Sequence, residues 1–149
     1  MLLNPALDQW SPGEHNGTFR GNNHAFVTAT AALQIYWRDA HFEREIALKS
    51  VIVQQKLKAM LDTYQPLALR LKGRGLMQGI ECASGEIADA ICAHAFERGL
   101  IIETAGNQGQ VVKVFCPLTI SEEDLHKGLN VLALSFAATM REYTALKTA

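Results

Sequence analysis

Cysteine is scarce in this chain of 149 residues, with three: Cys82, Cys92 and Cys116. An odd and scattered set matches neither a disulfide framework nor the spacing of a zinc site. All three sit in apolar stretches, which predicts reduced, buried thiols of a cytoplasmic protein. Charge of one sign is also missing. Fourteen basic against 15 acidic residues leave a formal net charge of −1, so no basic field points to nucleic acid or to an anionic membrane. No apolar run approaches the length of a membrane span. The first residues have no basic segment followed by an apolar core, so they do not read as a signal peptide. The histidines (His15, His24, His41, His94 and His126) lack paired helical spacing and companion ligands, and no metal site is expected. No Ser/His/Asp or Cys/His arrangement carries a defining local motif. Repeats and low-complexity tracts are absent.

What is present is a composition suited to one packed core, 48% hydrophobic and 19% charged. Residues 1–21 hold Pro5, Pro12, Gly13, Gly17 and Gly21 and little periodicity, and read as an irregular arm. Phe26, Thr30, Leu33 and Trp37 recur at helical spacing, so a helix is expected from Asn22 or Asn23 to about Arg38. Its Ala and Thr content implies close packing on one side. A longer helix should span about residues 40–64, with Phe42, Ile46, Val53, Leu57, Met60 and Leu61 as its apolar stripe and Pro66 beyond its end.

The period then changes. Lys72-Gly73-Arg74-Gly75 reads as a turn, residues 76–82 as a strand, and residues 85–98 as a helix with Ile87, Ile91, Ala95 and Phe96 inward and Gly99 as its stop. Strands are expected at residues 100–104 and 110–115, antiparallel across a turn at residues 105–109. In the last helix Ser121 serves as cap and Asp124 as the capping-box acid. Ile120 and Leu125 occupy the staple positions, and Leu125, Leu129, Leu132, Phe136 and Met140 form the core face. The expected architecture is α+β, with helices covering one face of a small, mostly antiparallel sheet.

The densest chemistry lies in His15-Asn16-Gly17-Thr18-Phe19-Arg20-Gly21-Asn22-Asn23. It combines a hydroxyl, amide groups, two glycines and an arginine just ahead of a helix start. Glycine lets backbone approach a ligand closely, and a helix N-terminus offers free N–H groups and partial positive charge, which suit a phosphate. The same residues also read as a turn through Gly17 and Gly21 with Asn22 or Asn23 as an N-cap and nothing bound. Arg20 reads as a carboxylate ligand or as a surface arginine paired with an acid such as Glu14. Lys113 shares one strand face with Val111 and Phe115, and is either an edge-strand gatekeeper or a ligand to a carboxylate. Lys72, Arg74 and Glu81 read as solvated charges.

Residues 13–29, Gly-Glu-His-Asn-Gly-Thr-Phe-Arg-Gly-Asn-Asn-His-Ala-Phe-Val-Thr-Ala, resemble a stretch of the class III (subgroup II) aminotransferases that follows shortly after the pyridoxal lysine. Further landmarks appear in the same order at Lys72-Gly73-Arg74-Gly75-Leu76-Met77-Gln78-Gly79-Ile80-Glu81, at residues 96–104 and at residues 111–120. The likeness spans nearly the whole chain. It implies a pyridoxal 5'-phosphate enzyme moving an amino group between 2,4-diaminobutyrate and 2-oxoglutarate. The fold implied is the small C-terminal domain of a fold type I aminotransferase at residues 22–149, preceded by an arm at residues 1–21 that would lie on the large domain and the dimer interface.

By the same resemblance Thr18, with Gly17, holds the cofactor phosphate of the neighbouring subunit. Arg20 falls where it would meet a substrate carboxylate or the partner subunit's cofactor loop, and Lys113 falls at a substrate-binding position. Several family members carry arginine at the position of Lys113, and lysine cannot make arginine's bidentate fork. The family's Schiff-base lysine falls upstream of Met1, and residues 1–5 resemble the tail of the strand after it. Lys49, Lys56 and Lys58 lie on the polar face of a helix. The chain is therefore expected to form no internal aldimine, to be inactive alone and to need a missing large domain or partner chain. The alternative is a non-catalytic product serving as an oligomerisation or small-molecule-binding module. In either case a homo-oligomer is expected.

Overall fold

The computed structural model describes residues 4–14, 17, 19–65 and 68–148, with side chains through residue 145. The chain divides into two compact units, residues 1–40 and 41–149.

In the first unit, Asn4 caps a single 3-10 turn at Pro5–Leu7 by accepting from the Ala6 N–H. Of the five residues likened to a strand tail, Met1, Leu2 and Leu3 lie outside the described residues, and Asn4 and Pro5 start this turn instead. Helix α1 then runs Asn23–Tyr36 with Asn22 as its N-cap. The close packing inferred from its Ala and Thr content is not found, since α1 buries none of its residues. Its threonines turn inward on the helix itself: the Thr28 hydroxyl donates to the His24 and Ala25 carbonyls, and that of Thr30 to the Phe26 carbonyl.

The second unit holds helix α2 (His41–Thr63), strands β1 (Arg70–Arg74) and β2 (Met77–Glu81), helix α3 (Gly85–Glu97), strands β3 (Glu103–Ala105) and β4 (Val111–Phe115), and helix α4 (Glu122–Thr148). The four strands pair antiparallel throughout, in the order β1-β2-β4-β3. Leu71, Ile80, Val112 and Val114 face the helices and pack with Val53 and Leu57 of α2, Ile91 of α3, and Leu125, Leu129, Leu132 and Phe136 of α4. Arg70, Lys72, Met77, Glu81, Val111, Lys113 and Phe115 alternate onto the other face.

Three expectations about this unit need correction. Lys72, Gly73 and Arg74 are not a turn but the end of β1, and the turn of that hairpin is Gly75–Leu76. Gly75 takes φ 62° while Leu76 does not go positive, which is the glycine-first pattern matched to strand twist. Strand β1 escaped notice because Leu71 is its one apolar residue. Phe96 is 69% exposed; Ala88, Ile91 and Ala95 form the buried stripe of α3, and a side chain one residue past Ala95 is turned about 100° away. Strand β3 also begins three residues later than the expected start.

The last helix follows the expected local chemistry. The Ser121 hydroxyl oxygen accepts from the Asp124 N–H at 3.0 Å and its proton goes to the Asp124 carboxylate at 2.8 Å. Ile120 packs against the core cluster that holds Leu125, as a hydrophobic staple does. At the end of α2, Pro66 lies outside the described residues.

Candidate functional site

Two groups of residues carry chemistry, one in each unit. In the first unit the chain turns tightly, with the Arg20 N–H donating to the Gly17 carbonyl at 3.0 Å. The arginine stem folds back over the glycine: a Cβ on Gly17 would lie 3.0 Å from Arg20 Cγ and 3.2 Å from Nε. Glycine is therefore what allows the guanidinium stem to lie against the backbone. Gly21 follows at φ 73°, and the Asn22 side chain then accepts from the Ala25 N–H at 3.2 Å. This cap leaves the N–H groups of Asn23 and His24 at the open end of the helix. Thr18, His15 and Asn16 lie outside the described residues. Glu14, offered as a partner for Arg20, accepts from the Ser11 N–H at 2.7 Å. The assembly of guanidinium, glycine backbone and helix start suits an anion.

In the second unit Lys113 sits on β4, which is interior to the sheet with β2 on one side and β3 on the other. The edge-gatekeeper reading is therefore ruled out by the strand order. Its register partners are Gly79 and Glu103, and its ammonium donates to the Glu103 carboxylate at 2.9 Å. That hydrogen bond and the lysine's charge hold the Glu103 carboxyl below its ordinary pKa. Lys113 thus does engage a carboxylate, one from its own chain. Glu103 was not singled out from sequence. The signal available was the antiparallel pairing across residues 105–109, which brings one residue of the first strand opposite Lys113 once the register is fixed. Of the charges on β1 and β2, Lys72 pairs with Glu81, its Nζ lying 3.2 Å from a carboxylate oxygen.

The remaining reactive groups are tied into packing. Cys82 is buried, and Cys92 and Cys116 are half-buried; all three are free thiols. Burial pushes the Cys82 thiol up to about 12 and the Cys92 thiol to about 11, and raises Cys116 as well, so none is an activated nucleophile. Lys49 donates to the Leu118 carbonyl and Lys56 to the Asn130 side chain. His94 lies 3.3 Å from a Glu97 oxygen and 3.1 Å from one of Glu142. Among the described residues no group of three or more His, Cys, Asp or Glu could hold a metal ion. No helix among them is long and apolar enough to cross a membrane.

The sequence and the fold have clear relatives. A diaminobutyrate–2-oxoglutarate transaminase of Vibrio cholerae is 58% identical over 132 residues, which is 89% of this chain and 32% of that protein. The enzyme of the same name from Halomonas elongata is 51% identical over 138 residues, 91% of this chain and 32% of that protein. The chain thus spans about a third of the length of the curated relatives it matches. Among solved structures, lysine aminotransferase from M. tuberculosis in the internal aldimine form superimposes with a TM-score of 0.73 at 22% identity, over 86% of this chain and 29% of that one. N-acetylornithine aminotransferase from Stenotrophomonas maltophilia K279a gives a TM-score of 0.68 at 24% identity, over 82% of this chain and 33% of that one. These two share the fold. The family model for class-III aminotransferases matches residues 4–136, nearly the whole of the described molecule, and the chain belongs to that family.

Proposed function

We propose that this chain is the C-terminal third of a cytoplasmic, pyridoxal-phosphate-dependent aminotransferase acting between 2,4-diaminobutyrate and 2-oxoglutarate, and that it is catalytically incomplete by itself. The observation that carries this reading is the match to diaminobutyrate–2-oxoglutarate transaminases at more than half identity. In this reading residues 1–21 are the arm and residues 22–149 the small domain.

Pyridoxal phosphate, when bound, supplies the electron sink that amino-group exchange needs. The donors of the first unit fit its phosphate, because a dianion is best met by a guanidinium and by backbone N–H groups that no Cβ screens. Gly17 lets the Arg20 stem fold over the backbone beside the site, and Thr18 adds a hydroxyl. Arg20 supplies charge from above Gly17 for the phosphate of a neighbouring subunit or for a substrate carboxylate. Lys113 takes a substrate carboxylate by exchanging it for Glu103. The ammonium is a point donor without arginine's planar fork, so it fixes the carboxylate's place more than its orientation.

Self-association belongs to the same reading. Phe26, Leu33 and Trp37 of the first unit are all exposed, and contiguous exposed apolar surface marks an interaction site. Closed symmetric pairing covers such a surface at least cost. A homodimer or larger oligomer is expected on sedimentation at micromolar concentration, and a clean monomer would contradict it.

The decisive experiment assays diaminobutyrate:2-oxoglutarate transamination by the chain alone and by the chain fused behind the first two thirds of the Vibrio cholerae relative. No turnover is expected from the chain alone, nor a borohydride-reducible adduct with pyridoxal phosphate. Turnover is expected from the fusion, and Thr18→Ala should reduce its cofactor affinity. A stoichiometric adduct at one lysine of the isolated chain, or a fusion that binds cofactor but transfers no amino group, would overturn the reading.

A further inference from the structure

The sheet face turned away from the helices carries two ion pairs. Lys72 meets Glu81 at 3.2 Å, and Lys113 meets Glu103 at 2.9 Å. Their settings differ. Lys72 lies on β1, an edge of the sheet, whereas Lys113 lies on β4 in its interior. Lys113 stands between Val111 and Phe115 on one face of its strand. Its register partner on β2 is Gly79, so β2 puts no side chain beside the ammonium there. An added Cβ at Gly79 would lie 2.7 Å from the Val112 carbonyl oxygen and 2.9 Å from Val111 Cγ1. Two residues along, Met77 pairs with Phe115, and both are exposed. The Lys113–Glu103 pair thus borders a small apolar surface on the open side of the sheet.

The pair keeps capacity for further bonds. An ammonium has three donors and a carboxylate about four acceptor sites. Lys113 gives one hydrogen bond, to Glu103 Oε2. A molecule carrying an ammonium and a carboxylate on one carbon can add a bond to each partner and leave the pair intact, with opposite charges alternating around the four groups. A carboxylate alone gains from Lys113 but is repelled by Glu103. The two substrates of the proposed reaction differ in this respect. A diamino acid that gives up its terminal amino group keeps an ammonium and a carboxylate on its α-carbon. 2-Oxoglutarate has two carboxylates and no ammonium, and has to take Lys113 from Glu103.

We propose that Glu103 is a specificity residue: with Lys113 it binds the α-amino-acid head of the diamino donor, Glu103 taking the α-ammonium and Lys113 the carboxylate, and it disfavours the keto acid at the same place. The head is held by charge-assisted hydrogen bonds, and the methylene chain lies against Met77 and Phe115. This assignment rests on the transaminase reading above.

The test uses the chain fused behind the first two thirds of the Vibrio cholerae relative and varies each substrate in turn. Glu103→Gln keeps the size of the side chain and removes its charge. The KM for 2,4-diaminobutyrate should rise about tenfold with kcat held, the scale of one lost hydrogen bond between charged groups. The KM for 2-oxoglutarate should stay or fall, because Lys113 no longer has to be taken from an acid. Glu103→Asp should recover part of the lost affinity. Glu81→Gln, which removes the acid of the other pair on this face, should move neither KM. Unchanged circular dichroism verifies that each variant is folded; if Glu103→Gln fails this check, Glu103→Ser replaces it. A wild-type fusion without turnover would overturn the transaminase reading and this proposal with it. An active fusion in which Glu103→Gln raises both KM values alike, lowers kcat alone or behaves as Glu81→Gln does would leave that reading standing and overturn this proposal.

Discussion

The two units of this chain use similar residues to opposite ends. In residues 41–149, Val53, Leu57, Ile80, Ile91, Val112, Leu132 and Phe136 are removed from water almost completely. In residues 1–40, Phe26, Val27, Leu33, Ile35 and Trp37 belong to or adjoin a helix and remain exposed. Helix α1 has a sound N-cap and an apolar repeat, yet neither supplies burial. An apolar stripe is a requirement for a partner surface, and only tertiary packing meets it. The residues proposed to hold the cofactor phosphate stand beside this uncovered helix, whereas Lys113 stands on a sheet with its own core. Stability and the proposed phosphate site are thus separated along the chain.

The largest effect that could break this contrast is a core truncation. Phe136→Ala should destabilise the fold by about 3–5 kcal/mol, as buried aromatic truncations do. Phe26→Ala should change stability by less than about 0.5 kcal/mol, the range of ordinary surface substitutions. Denaturant unfolding followed by circular dichroism measures both, and equal effects would erase the distinction between the units. Next in size is the cap of α4: Ser121→Ala should cost about 1 kcal/mol through loss of the bond to the Asp124 N–H. An unchanged midpoint would show that the cap adds nothing.

Smaller effects sharpen the account of the second unit. Glu103 and Asp124 both lie below their ordinary pKa in the folded chain, each through a hydrogen bond, from Lys113 and Ser121 respectively. Any stability they add is therefore present above the ordinary carboxylate range and is lost as pH falls through their lowered values. Carboxyl NMR titration should find both protonating below the ordinary carboxylate range, and Lys113→Met should return Glu103 to the usual range. Thiol labelling at pH 8 under native conditions should be slow at all three cysteines and slowest at Cys82, whose thiol burial raises to about 12. Rapid labelling of Cys82 would contradict its place in the core.

Much of the second unit was legible because local signals and burial agree there. Ser121, Asp124, Ile120 and Leu125 announce the start of α4 within six residues, and the stripe from Leu125 to Phe136 is the one that packs. Strand β1 was not legible, since a charged edge strand with Leu71 as its single apolar residue has no alternation to read. Phe96 misled because hydrophobicity without phase does not assign a face. At the site, Lys113 could be named from its strand, but Glu103 could not, because their pairing depends on a register that only the folded sheet fixes. The turn at Gly17 was legible from its glycines, but the folding of the Arg20 stem over Gly17 was not visible in residue order.

Native-state amide hydrogen exchange tests the central contrast most directly. The amides of Leu57, Ile80, Ile91, Val112 and Phe136 should exchange only through global unfolding, while those of α1 should exchange through local opening with far smaller protection. Protection of α1 equal to that of the sheet and α4, at protein concentrations too low for association, would contradict the account.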